Sequence, residues 1–207
     1  MNDLATSCNP LVDTHHNSCL VSLAMISLQA FLFNPEIAAA FEMKSVALYE
    51  RQRALVRAGL LPQPKSRGRN SGGAMATPDT VAMIMLSLLV TDSLSEVDER
   101  VASWVELRAI EEKFPGPRIG KCHLTGQKTL HKALAHCLSP DSPAEHYYGV
   151  EVNRKAMIAD IIDPSGKFVR SRFGRAIESS GIQIKAVFNG MFNLAQLLEI
   201  HSNVGTE

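Results

Sequence analysis

Apolar positions recur at helical spacing through the first two thirds of the chain, then alternate from Tyr148 onward. Leu20, Leu23, Ala24, Ile26, Ser27, Ala30 and Phe31 form one face of a helix expected over Leu20–Phe33. Asn34-Pro35-Glu36 combines a capping side chain, a proline suited to the first helical position and an acid for the first turn. A short helix, Glu36–Met43, should follow. Another is expected from Lys44 or Ser45 to Ala58, stopped by Gly59, because glycine readily takes the left-handed backbone that ends helices. Pro62 and Pro64 exclude helix beyond that stop. Thr77-Pro78-Asp79 marks the next start, and Pro78–Val90 is apolar on almost every side, as a buried helix is. Ser95 with Asp98 predicts a helix from Glu96 to Lys113. The break at Phe114-Pro115-Gly116-Pro117 reads as a domain boundary.

Beyond it, Gly126–Cys137 is expected to be helical and Ser139–Pro143 a loop. Tyr148, Val150 and Val152 then alternate with Gly149 and Glu151, and Ala156, Ile158, Asp160 and Ile162 with Met157, Ala159 and Ile161. Asp163-Pro164-Ser165-Gly166 reads as a tight turn, Lys167–Phe173 as the returning strand and Ile182–Phe188 as another. Met191–Ile200 is expected to be a final apolar helix. The second half should therefore be α+β with a small antiparallel sheet.

The 207 residues suffice to bury a sizeable core. Net charge is zero, so whole-molecule electrostatics give no reason to expect a nucleic-acid partner. The charge is nonetheless segregated. Lys44 to Arg69 holds seven basic residues and one acid, and Asp92 to Lys113 holds seven acids and three bases. The first residues lack a secretory pattern, and the run Leu20–Phe33 is shorter than the ~20 residues that span a bilayer. A cytoplasmic protein with reduced thiols is expected, with no membrane partner.

The basic segment carries the functional expectation. Two short helices joined by a tight turn, then a basic Gly/Ser loop, suggest a winged helix-turn-helix. Glu36–Met43 would be the first helix and Ser45–Ala58 the second. Lys44, Ser45, Tyr49, Arg51, Gln52, Arg53 and Arg57 are the expected DNA-binding residues of the second helix. Lys65, Arg67 and Arg69, set among small residues, would bring charge close to phosphates from the wing. A solvated basic helix followed by a plain linker would leave the same pattern.

Within residues 45–90, Tyr49, Glu50, Gly59, Leu60, Leu61, Pro62, Arg67, Gly72, Gly73, Asp79 and Val81 resemble the DNA-binding end of MerR-type winged-helix regulators. Those share a helix ending in a Gly-Leu-Leu-Pro-like turn, a basic glycine-containing wing and a following helix opened by a small residue. The resemblance implies a winged helix-turn-helix DNA binder, and carries over neither an effector nor a metal site. Here the helix between Glu50 and Gly59 is longer than in that family, and no long coiled-coil helix follows. Phage or plasmid regulators and terminase small subunits share such modules.

Cys8, His15, His16 and Cys19, or Cys122, His123, His136 and Cys137, supply zinc-ligand types without the paired spacing that makes a zinc site. There is no Walker loop, GxGxxG after a strand, GxSxG or HExxH. No catalytic residue, metal or cofactor is expected. Arg154-Lys155 and Lys167, Arg170, Arg172 and Arg175 form a second basic cluster, with Arg170 and Arg172 on one strand face.

The resulting expectation is an α+β, mostly helical chain. Residues 1–19 form a flexible arm, 20–114 a winged helix-turn-helix-like DNA-binding domain, and 118–207 a dimerisation or sensing domain. Its function would be non-enzymatic, sequence-specific binding of double-stranded DNA by a homodimeric transcriptional regulator. The alternatives are a phage or mobile-element packaging protein using the same module, or a small enzyme.

Overall fold

The computed structural model describes residues 35–63, 76–113, 116–140, 142, 149–163, 170–174, 185–189 and 194–198. The arm at 1–19, the helix at Leu20–Phe33 and the wing carrying Lys65, Arg67 and Arg69 lie outside the described residues. The fold is α+β, and its sheet is antiparallel throughout the described pairs.

Helices α1 (Pro35–Ala40) and α2 (Ser45–Arg57) come first. Gly59 ends α2 as expected, at φ +73°. Its N–H donates to Val56 O at 3.0 Å and the Leu60 N–H donates to Leu55 O at 2.9 Å, the two bonds of a Schellman stop. Helix α3 (Pro78–Val90) starts where the sequence places it. Thr77 and Thr80 form a reciprocal capping box, with Thr80 N–H donating to Thr77 Oγ1 at 3.3 Å and Thr77 N–H to Thr80 Oγ1 at 2.8 Å. Its apolar residues are buried on nearly all sides, which makes α3 the central helix of the core.

A 3-10 turn, Leu94–Glu96, leads into α4 (Val97–Val105). The expected helix from Glu96 to Lys113 stops there, and Ala109–Lys113 is strand β1. Pairing with the strand that follows overrides the helix preference of Glu111, Glu112 and Lys113. Strand β2 (Gly116–Ile119) returns beside β1, so the break expected to divide the chain into domains lies between paired strands. Residues from both sides of that break also share one hydrophobic cluster, from Ile37 and Leu55 to Phe173 and Leu198. The division at residues 114–118 is thus replaced by a continuous core.

Helix α5 spans Leu130–Cys137, later than the expected start at Gly126. Gly126 sits at φ +71° and closes a turn onto Cys122 O, and Lys128 O accepts from Ala109 N–H, so residues 126–128 are committed elsewhere. Strands β3 (Gly149–Asn153), β4 (Ile158–Ile162), β5 (Arg170–Gly174) and β6 (Lys185–Phe188) complete the sheet in the order β2-β1-β5-β4-β3-β6. Residues 194–198 are helical.

The register sorts the sheet into two faces. Ala109, Phe173, Ala159, Val152 and Ala186 form one cross-strand row, and all but the partly buried Ala186 are fully buried in the core. The adjacent row runs Ile119, Ile110, Arg172, Asp160, Glu151 and Val187, and belongs to the opposite face.

Candidate nucleic-acid interface

The rotation of α2 about its axis decides which of its basic residues reach solvent. Arg51 is 6% exposed. Its guanidinium donates to Ser87 O at 2.9 Å, Thr91 O at 3.0 Å and Asp92 O at 3.4 Å. Arg51 therefore caps the C-terminus of α3, where no glycine stop and no basic side chain in the last turn serves the final carbonyls. Burial lowers its pKa from the ordinary arginine value, opposed by the charge of Asp92 and reinforced by that of Arg154.

Arg154, in the turn between β3 and β4, reaches the same helix end. Its Nε–H donates to Leu89 O at 2.7 Å, and its two terminal nitrogens hold the Asp92 carboxylate at 2.6 and 3.0 Å. Asp92 consequently titrates below the usual carboxylate range, chiefly through the Arg154 hydrogen bonds. Two arginines distant in sequence thus converge on one helix terminus.

This corrects two of the expected DNA-binding residues. Arg51 is consumed by carbonyls inside the fold, and Gln52 is buried, with its Oε1 lacking a hydrogen-bond partner. Neither side chain is available to a groove. Each helical residue turns by about 100°, so Tyr49, Arg53 and Arg57 lie at about 160°, 200° and 240° from Arg51. Anchoring Arg51 inward therefore turns these three outward, and all three are exposed. Lys44 precedes the helix and is exposed, Ser45 is partly buried, and Val46 adds an exposed apolar residue to the same face.

Arg53 lies over the Tyr49 ring at 5.8 Å from the centroid and pairs with Glu50 at 3.2 Å. Both contacts are on the surface, where a cation–π pair or an ion pair contributes about 0.2–1 kcal/mol. Arg53 can exchange them for a phosphate. The buried bonds of Arg51, about 1.5–3 kcal/mol for a charged donor, are not exchanged so readily.

Of the second basic cluster, Arg170 and Arg172 pair with acids, and Lys167 and Arg175 lie outside the described residues. Arg172 and Arg170 both contact Asp160, at 3.0 and 3.4 Å, and Arg170 lies 3.9 Å from Glu151. The sequence placed the two arginines on one face correctly, as their pairing with Asp160 and Ile162 shows. Sequence reasoning missed the convergence on α3. Its one signal was negative: an apolar helix ending without glycine or a basic residue needs donors from elsewhere.

Among the described residues, no three or more His, Cys, Asp or Glu side chains are grouped to hold a metal ion. No single described helix is long and apolar enough to cross a membrane. No family model, curated protein or solved structure matches the chain.

Proposed function

We propose that this protein is a non-enzymatic, cytoplasmic regulator that binds duplex DNA through the outer face of α2. The observation that supports this reading is the anchored rotation of the helix. Arg51 is locked to the end of α3, which presents Tyr49, Arg53 and Arg57 together on the solvent side. Lys44, at the start of the helix, adds a fourth long polar side chain.

A helix about 20 Å long with a basic outer stripe fits the width of a major groove. Arg53 and Arg57 contact phosphates or guanine edges, and Tyr49 supports Arg53 from beneath. Lys65, Arg67 and Arg69 extend the contact along the backbone. Two copies arranged about a dyad would read a palindromic site.

Binding of a labelled duplex, followed by fluorescence anisotropy across a salt series, tests the proposal. Affinity should fall linearly on logarithmic axes, with a slope of about −0.9 for each phosphate neutralised. A discrete protected site in a footprint marks a regulator, and uniform coverage marks a packaging protein. Absent or salt-insensitive binding removes both.

A further inference from the structure

The sheet opens between β1 and β5, and the opening holds cationic groups that the DNA reading does not use. Strand β1 pairs with β5 at only two positions, Ala109 with Phe173 and Ile110 with Arg172. Ser171 and Arg170 continue past that pairing. The loop after β2 approaches them instead, its His123 N–H donating to Ser171 Oγ at 3.0 Å. A groove of about 200 Å³ results, lined by Ile110, His123, Arg170 and Arg172.

Sheet order separates the acids from this groove. Asp160 on β4 and Glu151 on β3 lie on one side of β5, and Ile110 and His123 lie on the other. Asp160 is 7% exposed and holds both guanidinium groups from its own side. Arg170 makes both of its acid contacts through one terminal nitrogen. A guanidinium has five N–H donors in a fixed fork, so those two contacts leave its other edge unengaged, and its side chain is 44% exposed. Asp160 and Glu151 thus orient the arginines from the β4 side of the groove without lining it.

We propose that this groove binds the terminal phosphate group of a small ligand. Donors from Arg170, Arg172 and the exposed His123 ring converge from one strand and a loop, and groups reaching in from these two directions suit a tetrahedral oxyanion better than a planar carboxylate. The volume is below the ~300–1,000 Å³ of drug-sized sites, so it takes one phosphate with a short stem. Ile110 provides an apolar wall for that stem.

The test is calorimetric titration of the full chain with inorganic phosphate, glycerol phosphate and acetate at matched ionic strength. It is run in an Arg53→Ala/Arg57→Ala background, so that α2 cannot supply the site and the result is independent of DNA binding. Saturable phosphate binding is expected, with a dissociation constant on the order of 1 mM. Arg170→Ala should weaken it about tenfold or more, the loss of one charge-assisted hydrogen bond, and His123→Ala should weaken it as well. Far-UV circular dichroism checks that each variant folds. Tighter binding of glycerol phosphate assigns the group to an organic ester, and equal binding assigns it to free phosphate. Acetate binding as tight as phosphate, no saturation by about 20 mM, or indifference to both folded variants overturns the proposal.

Discussion

Arg51 and Arg53 stand two residues apart on one helix and differ in every physical respect that matters to function. Arg51 donates to Ser87 O and Thr91 O inside the fold, and Arg53 is 54% exposed beside Glu50. Arg51→Met should destabilise the protein by about 1.5–3 kcal/mol, because buried carbonyls lose a charged donor. Arg53→Ala should stay within about 0.5 kcal/mol. Urea denaturation midpoints distinguish the two, and equal shifts would remove the anchoring role. Asp92 supplies a pH test at the same helix end. Its folded pKa is depressed, so its pair with Arg154 contributes fully above the unfolded value of about 4 and is lost as pH falls through the folded value. The Asp92 side chain is 86% exposed, which limits the pair to about 0–1 kcal/mol. The stability gap between the natural chain and Asp92→Asn should close between about pH 5 and pH 2. A gap that widens on acidification would contradict the pairing.

At the scale of elements, two glycines with left-handed backbone have different surroundings. Gly59 has open space where a Cβ would stand, and Gly174 has Met157 O there. Gly59→Ala should cost about 1–2 kcal/mol from backbone alone. Gly174→Ala should cost more, since β4 must also move away from the end of β5. Thermal or urea melts rank the two, and a milder effect at Gly174 would contradict the close approach. Elements with local causes were legible in the sequence. Thr77-Pro78 starts a helix through its own side chains, Gly59 stops one through its own backbone, and the alternation around Val150 and Ile161 follows from strand geometry. Strand β1 was not legible, because Glu111, Glu112 and Lys113 favour helix and Ala109 pairs with Phe173, far along the chain. The role of Arg51 was hidden for the same reason, its acceptors lying 36 to 41 residues away.

For the whole molecule, one hydrophobic cluster joins α2, α3, α4, α5 and the sheet, so α2 is held by the core rather than carried on a separate module. A formal net charge of zero leaves long-range attraction to DNA weak, and affinity must come from the local face. On the proposed function, binding by such a face should be strongly salt-dependent, because its charges are exposed and the proposed contacts are with phosphates. The most direct measurement compares duplex binding by the natural chain and by Arg53→Ala/Arg57→Ala across a salt series. Weaker binding by the double variant is expected at every salt concentration, with a salt slope flatter by about 2 and an unchanged urea midpoint. The same affinity and slope in both proteins would show that the outer face of α2 does not bind DNA.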